Sequence, residues 1–120
     1  MKRMTVVLVL ILLLSCVGQE KTYTEEDSLK VAQKFVLNSP TYKYDGGDLK
    51  HIETEPLKCP YCWQFTFTFT SSHAGYGDRS GQMVLQVITS HTAKVTVEKG
   101  KVTHAVLDDE WDMMGQEMIE

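Results

Sequence analysis

The sequence predicts an α+β domain behind an export signal: one N-terminal helix packed on a curved antiparallel sheet of four to five strands. Three observations predict it. An unbroken apolar run, Val6 to Leu14, follows Lys2 and Arg3. Leu29, Ala32, Phe35 and Val36 recur at helical spacing behind Thr24-Glu25-Glu26-Asp27. Trp63-Gln64-Phe65-Thr66-Phe67-Thr68-Phe69-Thr70 alternates strictly, aromatics on one face and Gln or Thr on the other, which is the period of a half-buried strand. At 120 residues, with 42% hydrophobic and 23% charged residues, the chain is long enough for one domain and too rich in apolar side chains for a disordered one.

The leader comes first. A nine-residue apolar run has the length of a signal-peptide core, whereas a spanning helix needs roughly 20 residues. Two processing routes are open. Leu13-Leu14-Ser15-Cys16 is similar to a prokaryotic lipobox, departing from it at Leu14; that likeness implies lipidation of Cys16 and a membrane-anchored protein. Alternatively Cys16-Val17-Gly18 is a small-x-small cleavage site, and a secreted chain begins at Gln19. An uncleaved anchor is the third reading. All place the domain outside the cytoplasm. The expected division is residues 1–18 as signal peptide, 19–23 as a short tether and 24–120 as a single α+β domain. Loss of Lys2 and Arg3 leaves 10 basic and 16 acidic residues, net −6, without the basic stripe a nucleic-acid partner would need.

In the mature chain, the Thr24 hydroxyl is placed to cap a helix whose first turn carries three acids, favourable at the positive end of the helix dipole. Asn38-Ser39-Pro40 ends it after about 13 residues. A lone helix with one apolar stripe needs a flat partner, and the aromatics of 63–69 supply one for Phe35 and Leu29. Leu49 to Leu57 reads as an edge strand because of Pro56. Met83 to Thr89 reads as a central strand. Ala93 to Glu98 and Val102 to Leu107 form a hairpin across Lys99-Gly100, with Glu98 facing Lys101, Val97 facing Val102 and Val95 facing His104. That register puts His104 in the core. Trp111, Met113, Met114 and Met118 read as a short C-terminal helix, its methionines serving as packing rather than copper ligands.

Two segments stand out. Cys59-Pro60-Tyr61-Cys62 is similar in letters to a glutaredoxin active site, yet a strand follows it where that family has a helix. Pro60 suits position i+1 of a tight turn, which sets Cys59 and Cys62 less than about 7 Å apart and within disulfide reach. Three readings remain open: a structural clip, a redox pair, or half of a metal site completed by His51 or His73. The second segment is Ser71 to Gln82, with three glycines among His73, Tyr76, Asp78 and Arg79. It is longer than a hairpin needs, and its glycine N–H groups beside Arg79 suit an anion or an acidic partner. The competing reading is a self-packed loop, with Tyr76 folded onto the sheet and Asp78 and Arg79 capping backbone groups. Ser80, His73 and Asp78 lack the elbow and oxyanion hole of a hydrolase.

Cys59-Pro60-Tyr61-Cys62-Trp63, then His73-Ala74-Gly75-Tyr76-Gly77-Asp78-Arg79-Ser80-Gly81-Gln82, then a hairpin and Trp111-Asp112-Met113, resembles a group of small lipoproteins and exported proteins of prokaryotes, archaea included. The likeness spans nearly all of the mature chain. It implies export and a shared α+β domain and carries over no catalytic residue. The order of elements is similar to cystatin-like and PEPSY-type domains. Gln82-Met83-Val84-Leu85-Gln86 holds part of a cystatin hairpin tip without its glycine. The expectation is a non-enzymatic binding module without cofactor or metal. It would be anchored to a membrane surface through Cys16 and use the 71–82 loop, with His73, Tyr76, Asp78 and Arg79, on a protein or small anionic ligand. A redox or metal-handling protein using Cys59 and Cys62, and a cystatin-like protease inhibitor, are the alternatives.

Overall fold

The computed structural model describes residues 22–120; the expected signal peptide, Cys16 and most of the expected tether lie outside the described residues. Helix α1 spans Glu25–Leu37, and Thr24 Oγ1 accepts the Asp27 N–H at 3.0 Å, the expected cap. At its other end the Asn38 N–H and side-chain amide both donate to the Lys34 carbonyl, and the Ser39 hydroxyl donates to the Val36 carbonyl. The chain then does what the sequence reading missed. Pro40 begins a second, six-residue helix, α2 (Pro40–Asp45), because proline is tolerated at a first helical position where no N–H is needed.

Six antiparallel strands follow in simple meander order: β1 (Gly47–Pro56), β2 (Cys62–Ser71), β3 (Thr89–Glu98), β4 (Lys101–Leu107), β5 (Trp111–Asp112) and β6 (Glu117–Met118). The fold is α+β, with six strands in place of the four to five expected. The two extra strands replace the expected C-terminal helix. Positive φ at Asp108, Asp109 and Gln116 interrupts any helical run there, and Trp111–Asp112 instead pairs with Val106–Leu107. Strand β1 is one edge of the sheet, as Pro56 suggests, and it carries two irregularities in its register with β2.

The alternation in β2 is realised. Phe65, Phe67 and Phe69 are buried on the inner face with Ala93, Val95 and Val97 of β3, Ala105 and Leu107 of β4, and Met113. Helix α1 lies across β2 to β4 and inserts Ala32 and Val36; Leu29 and Phe35 flank them half-buried. The fully buried polar face-mate of these is Ser28.

Two expectations fail for reasons of register. Val97 does face Val102 and Glu98 faces Lys101, but one extra residue, Thr103, follows. Thr96 therefore faces His104 and Val95 faces Ala105, so His104 lies exposed on the outer face rather than in the core. Residues 83–88 form no strand. Ten consecutive pairs join β2 to β3, from Cys62–Glu98 to Ser71–Thr89, and β1 occupies the other edge of β2. No central edge remains for Met83–Ile88, and the segment stays outside the sheet. No helix among the described residues is long and apolar enough to cross a membrane.

Candidate functional site

Residues 72–88 join β2 to β3, and their first half is organised around one buried arginine. Arg79 is 1% exposed. A guanidinium has five N–H donors, and here five hydrogen bonds account for them. Nε donates to the Gly77 carbonyl at 3.1 Å, and Nη1 to the His73 and Gly75 carbonyls at 3.2 and 3.0 Å. Nη2 donates to the Thr41 carbonyl at 2.9 Å and to Asp45 Oδ1 at 2.8 Å. The Tyr44 ring covers the guanidinium carbon at 4.6 Å. Asp45, at the end of α2, closes the knot from the other side. Its Oδ2 accepts the Ser72 and His73 N–H groups at 3.0 and 2.8 Å and lies 3.0 Å from His73 Nδ1. Burial alone pushes the Asp45 carboxyl up; the His73 hydrogen bond, the Arg79 charge and the two backbone N–H groups outweigh it and hold the group below its ordinary value.

This placement matches the competing self-packed loop, with Arg79 on backbone carbonyls. All five donors are committed within the chain, and those to Thr41 and Asp45 tie the loop to α2. Tyr76 is likewise turned inward. Its ring stacks on Trp111 (5.4 Å between centroids) and leans on His91, and its hydroxyl lies 3.1 Å from Asp108 Oδ2 and 2.8 Å from Glu110 Oε2. Burial, then the two carboxylates, push the phenol strongly up, so it stays protonated and donates. His73 is half-buried against Asp45 and Tyr44. Asp78 alone of the four is exposed; its carboxylate accepts the Ser80 N–H and hydroxyl at 2.9 and 2.6 Å, which lowers its pKa. Gly77 donates its N–H to Thr41 Oγ1 at φ +76, where a Cβ would meet the Trp111 ring at 3.4 Å.

A polar relay lies beneath Tyr76 that the sequence reading did not find. Ser71 Oγ is 3.1 Å from His91 Nε2, and His91 Nδ1 is 2.6 Å from Asp108 Oδ2. The connectivity is that of a Ser-His-Asp triad, but Ser71 and His91 are each 2% exposed, and the His91 ring lies against Phe69 and Tyr76. Ser71 Oγ also reaches the His73 carbonyl at 3.0 Å. A sealed hydroxyl meets no substrate, so the relay pins the sheet end to the loop. Ser80, His73 and Asp78 do not assemble: Ser80 and Asp78 bond to each other, and His73 faces Asp45.

The second half of the loop is the opposite of the first. Met83, Leu85, Val87 and Ile88 are 104%, 76%, 49% and 82% exposed. Of the backbone of 83–88, the Leu85 and Val87 carbonyls accept one hydrogen bond each, from Ala74 N–H and Thr89 Oγ1, and none of the six N–H groups has a partner among the described residues. Gln82 to Gln86 forms no hairpin tip.

At the far end of the sheet, Cys59 and Cys62 sit at disulfide-bonding distance, Cα atoms 5.5 Å apart, across a turn in which Tyr61 takes φ +60. Neither His51 nor His73 approaches them. His51 bonds to the Glu53 carbonyl and Thr54 on β1, and the acidic side chain beside the sulphurs is Glu98. No protein-family model, curated protein or solved structure matches the chain.

Proposed function

We propose that this chain is a non-enzymatic binding module, exported and held at a membrane surface through lipidated Cys16, that captures a partner protein along residues 83–88. The observation that carries the reading is the pairing of four exposed apolar side chains with an unsatisfied backbone in one continuous segment. Met-Val-Leu-Gln-Val-Ile has strand composition and no charge, proline or glycine to blunt it. The long edge strand β1 is guarded by Lys50, Glu53, Glu55, Pro56 and two register irregularities. A chain that protects a sheet edge and leaves the backbone of an extended segment open offers that segment for strand addition, in which main-chain hydrogen bonds give affinity and alternate side chains give specificity.

The same backbone argues against burial of this segment in lipid. Each unpaired N–H in hydrocarbon costs several kcal/mol, and there are six. A protein strand satisfies them. The Arg79 knot, with Asp45, His73 and Tyr76, holds the segment away from its own sheet, so three of the four residues expected as contacts, His73, Tyr76 and Arg79, act as the mount. Asp78, at the surface of the same loop, is placed at the rim. The cystatin-like and PEPSY-like kinship belongs to this reading through the helix-then-meander order alone, and a protease among the captured partners would make the module an inhibitor.

The test is a photo-crosslinking residue at Leu85 of the full chain in its native cells, with the same residue at exposed Gln33 as control. A discrete adduct from position 85, absent at 33 and abolished by Met83→Ser with Ile88→Ser, supports the reading. Equal adduct patterns from both positions, or none at 85, refute it.

A further inference from the structure

We propose that Cys59, Cys62 and Glu98 form a redox-gated binding site for a divalent soft cation such as zinc: closed as a disulfide, open as a thiolate-thiolate-carboxylate set. The fold itself assembles the three groups. Cys62 and Glu98 are direct partners in the β2–β3 ladder, so their side chains leave the sheet on the same face. Cys59 comes back to them through the turn that the Leu57 N–H closes on the Cys62 carbonyl at 2.9 Å. That turn is fastened to the neighbouring β3–β4 turn by the Lys99 N–H on the Tyr61 carbonyl at 3.0 Å. Tyr23 packs edge-on to Tyr61 at 5.6 Å and against Gly100, covering the joint. Three potential ligand atoms from two cross-linked turns thereby lie within 4.8 Å of one another.

The chemistry of the trio fits a metal better than a bare clip. A disulfide gains nothing from a carboxylate, yet Glu98 Oε1 sits 3.8 Å from Cys59 Sγ, and Glu98 has no cationic partner within ion-pair distance among the described residues. Two thiolates and a carboxylate are a donor set for zinc, whose tetrahedral bonds of roughly 2.0–2.3 Å put ligand atoms roughly 3.5–3.8 Å apart. The present separations reach that by rotation of the side chains. The cleft they border, about 530 Å³, leaves the fourth position to water and carries Lys99 and Lys101, whose charges offset an anionic ligand set.

The gate balances as follows. A dithiol reductant attacks the exposed Cys59 sulphur, the S–S bond breaks, and its electron pair leaves on Cys62. The reductant's second thiol then resolves the mixed disulfide and departs as its own disulfide, having supplied two electrons. The cation binds the two freed thiols and releases two protons. The asymmetry of the pair suits this order, because Cys59 is exposed and Cys62 is 4% exposed.

The test uses the full chain, reduced without oxygen by a phosphine, with Co²⁺ as probe and Zn²⁺ as competitor. The expected result is one Co²⁺ per chain, seen as thiolate-to-cobalt charge-transfer absorption and displaced by Zn²⁺. The oxidised chain and the Cys59→Ser/Cys62→Ser variant, which retains Cys16, should lack the band. Glu98→Gln should weaken binding by at least the roughly tenfold that loss of even an outer-shell partner costs. Absorption no greater than that of the double serine variant would overturn the proposal. So would unchanged affinity in Glu98→Gln, or a stoichiometry of one metal per two chains.

Discussion

Replacing Arg79 by methionine removes the guanidinium while keeping most of its apolar volume, and the structure fixes what is left behind. Asp45 is 7% exposed on its side chain and loses its cation. The carbonyls of Thr41, Gly75 and Gly77 lose their Arg79 donor, and that of His73 keeps only the Ser71 hydroxyl. Breaking a buried pair from one side costs about 3–5 kcal/mol, chiefly the uncompensated charge. Against a total stability of about 5–15 kcal/mol for a domain of this size, that is a large fraction. The expected result is a loss of about 3–5 kcal/mol in denaturant unfolding followed by Trp63 and Trp111 fluorescence, and a fall in Tm of at least about 12 °C. Arg79→Lys keeps the charge and loses the fork, so it should fall between the two. A change within about 0.5 kcal/mol, the range of an ordinary surface substitution, would refute the description of Arg79 as a saturated internal tie.

The same knot sets an acid limit. The Asp45 carboxyl is held below its ordinary value of 3.8 in the folded chain, so in that window the unfolded chain binds more protons. The stabilisation is complete above that value and is lost as pH falls through the folded-state pKa; an Asp45→Asn variant should show a shallower acid slope below about pH 4. Ser28→Ala should stabilise the protein by about 1 kcal/mol in the same denaturation assay, because the buried hydroxyl has no partner among the described residues and alanine is the better helix former. Tyr76→Phe keeps the Trp111 stack and removes the donor shared by Asp108 and Glu110, so unfolding free energy should drop by about 1.5–3 kcal/mol, the range for hydrogen bonds to charged groups. Gly100→Ala places a Cβ 2.9 Å from the Tyr23 ring at φ +78, and should cost about 1–2 kcal/mol in backbone strain before any movement of Tyr23.

What could be read in the sequence was local. Thr24 and its acids mark a helix start without reference to the rest of the chain, and Trp63–Thr70 announces its period and its buried face. The Lys99-Gly100 turn and the Cys59–Cys62 turn need only four residues each. What could not be read depends on partners distant in sequence. Met83–Ile88 has the composition of a central strand, and only the complete β2–β3 ladder shows that no edge is left for it. Arg79 looks like a surface contact until Asp45, 34 residues earlier, and Thr41 are brought around it. A single added residue at Thr103 turns His104 to the outer face. Glu98 joins the cysteines through a register between β2 and β3 that neither strand's own pattern specifies. The Ser71–His91–Asp108 relay had one weak signal: Ser71 and His91 fall on the inner-face period of their strands, where polar residues need partners.

Amide hydrogen exchange on the full chain distinguishes an open segment from a paired one. The expected result is near-unprotected exchange for Met83 to Ile88, beside slow exchange in the β2–β3 ladder and intermediate protection at Ser72 and His73, whose N–H groups are held by Asp45. Protection of 83–88 equal to that of β3 in the isolated protein would show that the segment is already paired, and would contradict its role as the open strand.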